Sequence, residues 1–270
     1  MRRLRIILYW LFQAKNNISF SELVQFFLKP QVKSIADRYL REIQEKGEFY
    51  EISFKPMASI LYWPKACAID GIYQVTAETF DKQDWHFYQK EHTIIQQGEE
   101  LLDVGAAEGL FALSVADKCK TIYMVEPNDY FVGSLSKTFQ NYSDKTKIFN
   151  LAVGSCEGEI AFDQNSLSGK ISNETTSTNK KRITTIDTLL PDARITYLKA
   201  DLEGFELEML KGAEALIKRN KPKIAITTYH PENNAEEIIQ LVKKFVPSYN
   251  FYVKGIIHTA PKPVMIHFWI

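Results

Sequence analysis

Hydrophobic positions along the chain fall into two rhythms. Near the start, Leu4, Ile7, Leu8, Leu11 and Phe12 recur at helical spacing, and Ile6, Tyr9 and Trp10 widen the stripe until little polar surface is left. A helix of that kind must bury itself somewhere, and two readings stand. It packs on its own domain or a partner, or, with Arg2, Arg3 and Arg5 at its head, it lies in an anionic membrane interface. Ser19 and Glu22 form a capping-box pattern ahead of Leu23, Phe26 and Phe27, and Pro30 closes that helix. Val32, Ile35, Ala36, Tyr39, Leu40 and Ile43 keep the same rhythm, which predicts another helix stopping at Gly47. The β-rich residues 49–63, interrupted by Pro56, predict a hairpin. Residues 1–69 thus read as a helical and hairpin extension ahead of a larger domain, 70–270.

In the larger domain the rhythm becomes strand, helix, strand, helix. LLDV is followed by LFALSVADK, TIYMVE, a helical stretch from Tyr130 to Asn141, and KIFNLAV. That alternation predicts an α/β fold with a doubly wound, mostly parallel sheet. Asp163 to Lys181 is rich in Ser, Thr, Asn and Lys and reads as a solvated loop, either a lid or a surface insertion. After it come ITTIDTLL, YLKAD, a helix from Phe205 to Arg219, the apolar strand KIAITT, a helix near 234–245 and two final β stretches.

Composition narrows the function classes. Lys plus Arg and Asp plus Glu both number 33, so no overall positive charge points to nucleic acid. With 45% hydrophobic and 24% charged residues, the 270-residue chain matches a soluble globular protein. Cys67, Cys119 and Cys156 lie far apart and form neither a disulfide framework nor a CxxC pair, which suits a reducing cytoplasm. No apolar run reaches spanning length, and no small-residue cleavage site follows Trp10, so neither integral insertion nor secretion is expected.

Candidate chemistry concentrates in LLDVGAAEGLF. An apolar strand ends at Asp103, Gly105 and Gly109 bracket a tight turn, and an apolar helix follows whose first N–H groups face outward. The GxxxG spacing lacks the middle glycine of a dinucleotide fingerprint, which leaves NAD as the runner-up cofactor. Glu126 ends the next apolar strand, 23 residues after Asp103, where a carboxylate can hold ribose hydroxyls. Taken singly, the glycines are an ordinary turn and Glu126 a solvated strand end; taken together, they favour a nucleoside site.

These segments resemble the FkbM family of S-adenosylmethionine-dependent O-methyltransferases. The resemblance runs in order through LLDVGAAEGLFALS, VEP, LAVGSCEGEI, ITTIDTLL, YLKADLEGFELEMLKGA and IAITTYHPEN, over about residues 75–258, with DLEGFELEMLKG the most distinctive run. It implies a seven-stranded, Rossmann-like methyltransferase sheet and S-adenosyl-L-methionine as cofactor. Asp103, Gly105, Ala106 and Gly109 would then match the donor loop, Glu126 the ribose ligand, with Asn128 flanking it. Residues 150–153, including Ala152, would lie near the adenine. The segment before residue 70 is outside this resemblance.

Asp201 and Glu203 follow one strand and His230 another, so all three are expected at the ligand-binding carboxyl edge. Methyl transfer to a neutral hydroxyl needs a base, and His230 is favoured over Asp201 because imidazole titrates near neutrality. The plainer readings are helix capping for His230 and favourable helix-end charges for Asp201 and Glu203. Single ligands on separate loops carry no metal spacing, so no metal is expected. His86, His92, His258 and His267, and the aromatic run Trp85, Phe87 and Tyr88, read as structural. The expected acceptor is a sugar hydroxyl of a surface polysaccharide or glycolipid, ahead of a secondary metabolite. An oxidoreductase and a non-catalytic donor-binding scaffold are the alternatives. The expected location is cytoplasmic, with residues 1–15 touching the inner membrane face if the interfacial reading holds.

Overall fold

The computed structural model describes residues 2–163, 170–172 and 180–270. The chain opens with three helices, α1 (Arg2–Phe12), α2 (Phe20–Leu28) and α3 (Val32–Ala36). Both halves of the capping box at Ser19 and Glu22 form, so α2 begins where the sequence says. The helix expected to run to Gly47 stops at Ala36. Residues beyond it form β1 (Leu40–Lys46), which pairs antiparallel with β2 (Phe49–Phe54), itself paired with β3 (Leu61–Pro64). Pairing overrides the helical rhythm because Ile43 lies opposite Ile52 in this register, a match the hairpin turn enforces. Gly47 does take a left-handed φ of 55°, but as the turn of that hairpin and not as a helix cap.

Next come α4 (Gly71–Phe80), β4 (Glu99–Val104), α5 (Leu110–Val115), β5 (Cys119–Val125), α6 (Asp129–Thr138) and β6 (Thr146–Phe149). Then follow β7 (Ala152–Val153), β8 (Gly158–Asp163), β9 (Lys170–Ser172), β10 (Lys180–Thr184), α7 (Ile186–Leu189) and β11 (Tyr197–Ala200). The chain closes with α8 (Glu206–Lys211), α9 (Glu214–Asn220), β12 (Lys223–Thr227), α10 (Ala235–Phe245), β13 (Asn250–Lys254) and β14 (Met265–Trp269). The single helix expected over 205–219 is therefore two. The break falls at Gly212, where the backbone passes so close that a Cβ would sit 2.0 Å from the Gly154 carbonyl oxygen.

Seven strands form the main sheet in the order β13-β14-β12-β11-β4-β5-β6. β12, β11, β4, β5 and β6 run parallel, and β14 pairs antiparallel with both β12 and β13. This is the seven-stranded, Rossmann-like methyltransferase arrangement. Leu101, Leu102 and Val104 of β4 are all fully buried, as a central parallel strand covered on both faces requires. Among the described residues a second, four-stranded sheet has the order β7-β10-β8-β9. The polar stretch 163–181, expected as loop, is thus strand at both ends and at Lys170–Ser172; the lid reading concerns residues 164–169 and 173–179, which lie outside the described residues.

Two apolar clusters cover the sheet. One holds Leu102, Leu198, Ile224 and Ile226 with α8, α9 and α10. The other joins Leu101, Ala112, Ile122 and Met124 to Ile6, Ile18, Leu23, Ile52 and Trp63. Residues on both sides of position 70 share that second cluster, which brings α4 and the hairpin sheet up to the working edge of the main sheet.

Candidate active site

Register decides which residues meet. Val104 pairs with Val125 on one side and with Ala200 on the other, and Ala200 pairs with Ile226. The carboxyl ends of β4, β5, β11 and β12 therefore finish level, and Gly105, Glu126, Asp201 and, three residues past β12, His230 emerge at one edge. The order also reverses here, since β4 is followed by β5 on one side while β11 and β12 lie on the other, and a crevice opens at such a point. A cavity of about 320 Å³ occupies it, within the range of small-molecule and cofactor sites.

One end of the cavity is walled by backbone and a carboxylate. Gly105, Ala106, Ala107, Glu126 and Ala152 line it. Gly105 adopts a φ of 68°, and a Cβ there would lie 1.9 Å from the Asp201 carbonyl oxygen, so only glycine fits between the two strand ends. Glu126 accepts from the Ala107 N–H through Oε2 and from the Asn128 N–H through Oε1, both at 2.8 Å, which fixes its carboxylate at the rim. Burial pushes its pKa up to about 7, against those backbone hydrogen bonds. Glu108, also on the wall, is pushed up to about 7 by burial.

Three residues expected at the cofactor lie behind this wall. Asp103 is fully buried with Lys199 Nζ 3.0 Å from its Oδ1. Lys199 also donates to the Gly105 carbonyl at 2.6 Å, so the pair clamps the turn from beneath. Burial raises the Asp103 pKa despite Lys199. The same burial works against the Lys199 charge, but Asp103 and Asp201 outweigh it and hold its pKa above the ordinary value. A Cβ on Gly109 would strike Leu135 at 2.4 Å, which makes that glycine a packing site between α5 and α6. Asn128 caps α6 by accepting from the Tyr130 N–H.

The other end is acidic and aromatic. Asp201, Glu203, Tyr88 and Tyr229 line it together with Trp63, Gln74 and Glu78 from the segments ahead of β4. The Tyr88 hydroxyl donates to Asp201 Oδ2 at 2.9 Å. His86 Nε2 lies 3.5 Å from the same oxygen and its Nδ1 3.6 Å from Glu78 Oε2. Burial would raise the Asp201 pKa, but His86, Lys199 and His230 more than offset it and hold the carboxyl below its ordinary value. His230 is buried behind Asp201 and Glu203, with Nε2 3.8 Å and 3.3 Å from their carboxylates and Nδ1 3.0 Å from Glu206 Oε1. Burial opposes its charge, yet Glu203, Glu206 and Asp201 together lift its pKa to about 10. Glu203 adopts a φ of 53°, an uncommon conformation for a residue other than glycine, and this turns it into the cavity.

Asp201, Glu203 and His230 are thus brought together as expected. Trp63, Gln74, Glu78, His86, Tyr88 and Glu206 are the members that the strand-end logic misses. Glu206 sat within the distinctive DLEGFELEMLKG run; for Trp63, Glu78 and His86 no local signal exists, because they arrive by tertiary packing.

The methyltransferase FkbM domain model matches residues 103–251, more than half of the 270-residue chain. No curated protein matches the sequence. The fold is similar to the crystal structure of a methyltransferase FkbM from Methylobacillus flagellatus, at 18% identity and a TM-score of 0.52 over 75% of this chain; the chain spans 56% of that protein's length. Looser similarities reach a precorrin-6y C5,15-methyltransferase from Geobacter metallireducens, at 10% identity, TM-score 0.40, and 64% and 81% coverage of this chain and that one. A Pyrococcus abyssi tRNA (uracil-54, C5)-methyltransferase in complex with S-adenosyl-L-homocysteine matches at 13% identity, TM-score 0.43, and 84% and 45% coverage. At such distances neither bears on activity.

Proposed function

Because the chain belongs to the FkbM methyltransferase family, we propose that it methylates a sugar hydroxyl of a surface polysaccharide or glycolipid with S-adenosylmethionine as donor. The observation that carries this reading is one cavity with two chemically distinct ends, a glycine turn with Glu126 at one and Asp201, Glu203 and two tyrosines at the other. The fit of the donor rests on the first end. The passage at Gly105 lets a ligand lie against backbone, and the buried Glu126 carboxylate, already oriented by two N–H groups, retains lone pairs for a ribose diol.

When bound, S-adenosylmethionine supplies a sulfonium methyl: the acceptor oxygen bonds to that carbon, the carbon–sulfur bond breaks and S-adenosylhomocysteine remains. The chain's own part is to align the acceptor and take its proton. Asp201 is the group for that proton, since it faces the cavity and stays ionised at neutral pH. His230, favoured from the sequence as a neutral base, holds its own proton up to about pH 10 and so serves instead as the buried cation that steadies Asp201 and Glu203. Trp63, Tyr88 and Tyr229 supply aromatic faces, and the carboxylates supply acceptors, a mixture suited to a sugar ring and its hydroxyls.

The glycolipid alternative draws on the N-terminal helices. Leu8, Leu11 and Phe12 of α1 and Phe20, Phe27 and Leu28 of α2 are exposed, beside exposed Arg2 and Arg5. No helix among the described residues is long and apolar enough to cross a membrane, so contact would be interfacial.

The test is transfer of a labelled methyl group to a panel of soluble and lipid-linked glycans, read by mass. A methyl increment on a glycan hydroxyl is expected, with Asp201→Asn lowering turnover by about 10²–10⁴-fold and leaving S-adenosylhomocysteine affinity within a few-fold. Methylation confined to non-carbohydrate acceptors would remove the sugar assignment, and unchanged turnover in Asp201→Asn would remove the base.

A further inference from the structure

Behind the two carboxylates at the acidic end of the cavity lies a buried nitrogen that the hydrogen-bond network leaves over. Glu206 is fully buried and its carboxylate is crowded with donors: Oε1 accepts from the Leu202 N–H at 3.0 Å and Oε2 from the Gly204 N–H at 2.9 Å and the Asn233 amide at 2.7 Å. The Thr227 hydroxyl lies a further 2.9 Å from Oε1. With donors already on both of its oxygens Glu206 is the acceptor in this cluster, so His230 Nδ1, 3.0 Å from Glu206 Oε1, carries a hydrogen and donates it. The ring is thereby fixed in orientation and Nε2 becomes the free end.

That Nε2 is buried and makes no hydrogen bond. It points at two further carboxylates, with Glu203 Oε2 at 3.3 Å and Asp201 Oδ1 at 3.8 Å, neither in hydrogen-bond geometry. Ligand atoms of Asp201, Glu206 and His230 all lie within 4.8 Å of one another. A histidine whose far nitrogen donates to a buried carboxylate, while its near nitrogen faces two more, is the arrangement used to present imidazole to a metal ion. Ligands about 2.1 Å from a common cation stand roughly 3.0–3.4 Å apart, so the Glu203 contact is already at that separation and the Asp201 contact needs a closure of less than an ångström. Glu203 is partly exposed and free to make the adjustment.

We propose that His230 Nε2, Asp201 and Glu203 form a divalent-cation site at the acceptor end of the cavity, with Glu206 as the carboxylate that orients the imidazole. Two carboxylates and one imidazole suit a borderline ion such as Mn²⁺ or Zn²⁺. The cation takes the place of the proton that His230 otherwise holds among these anions. Its use in catalysis rests on the methyl-transfer reading: a hydroxyl coordinated there would be more acidic, would face the donor end and would pass its proton to the Asp201 oxygen that does not hold the ion. The site itself needs neither donor nor acceptor.

The test is therefore binding, with no substrate present. Chelator-washed protein is titrated with Mn²⁺ under paramagnetic resonance detection and with Zn²⁺ by calorimetry, and S-adenosylhomocysteine binding is measured on the same samples. One ion per chain is expected. Glu206→Gln should weaken it by about 10–100-fold, His230→Ala and Asp201→Asn should remove it, and His92→Ala should leave it unchanged. Circular dichroism and retained S-adenosylhomocysteine binding identify the variants that still fold. Stoichiometric binding of neither ion, or binding that His230→Ala and Asp201→Asn both leave intact, overturns the site. Failure of the cation to bind a protein that methylates its acceptor sinks this inference alone; a bound cation without methylation of any hydroxyl sinks the reaction reading alone.

Discussion

On the proposed reading, Glu126 links burial to donor binding through a single side chain. Its pKa is pushed up to about 7 by burial, so near neutrality the free protein divides between acid and carboxylate. A ribose diol donates to the ionised form. Donor affinity should therefore rise with pH through 7, and S-adenosylhomocysteine should bind about tenfold more weakly at pH 6 than at pH 8. Calorimetry across that range checks it, and Glu126→Gln should bind weakly and lose the pH dependence. A flat profile in the unaltered protein would detach Glu126 from the ligand. The effect on folding has the opposite sign, because a raised carboxyl pKa means the folded state holds its proton more tightly. That contribution to stability is present at low pH and is lost as pH rises from the ordinary carboxyl value through about 7. At Gly105 the constraint is steric: Gly105→Ala places a methyl group 1.9 Å from the Asp201 carbonyl oxygen. Donor binding should be lost in that variant, with a drop in melting temperature measured by calorimetry.

At the level of elements, what was legible in the sequence follows from how local the determining forces are. The capping box at Ser19, the strand LLDV with its glycine turn, and the strand ending at Val125 before Glu126 are set by neighbouring residues, and each stands where the pattern placed it. The segment 40–46 was misread because LREIQEK keeps a helical rhythm while its pairing partner is a strand that follows in the chain. The α8–α9 break was hidden because its cause, the Gly154 backbone, is distant in sequence from Gly212. The same rule applies to the site. Asp201, Glu203 and His230 follow from strand ends, whereas His86 and Glu78 arrive only when α4 packs against α5 and the segment after it meets Tyr197 of β11. For α1 the useful variant is at the surface. Leu8→Ser with Phe12→Ser alters exposed positions and should leave melting unchanged while reducing cosedimentation with anionic vesicles. Equal sedimentation of both proteins would count against the interfacial reading.

Taken whole, the molecule builds the acidic, aromatic end of its cavity from both sides of residue 70. Trp63 and Glu78 reach the cavity from the hairpin sheet and α4, and Trp63 shares one core with Ile6 and Leu23. Removing residues 1–15 would therefore strip the core as well as any membrane contact. Ile6→Ala alone should cost about 2–5 kcal/mol of stability, measurable by denaturant titration, which is why the paired surface variant is the cleaner probe. The account depends most directly on the donor's position. Crystals grown with S-adenosylhomocysteine should show the nucleoside against Gly105–Ala107, its ribose hydroxyls on Glu126 and its sulfur facing Asp201. A crevice empty under saturating S-adenosylhomocysteine, or one that takes NAD in its place, would contradict the account.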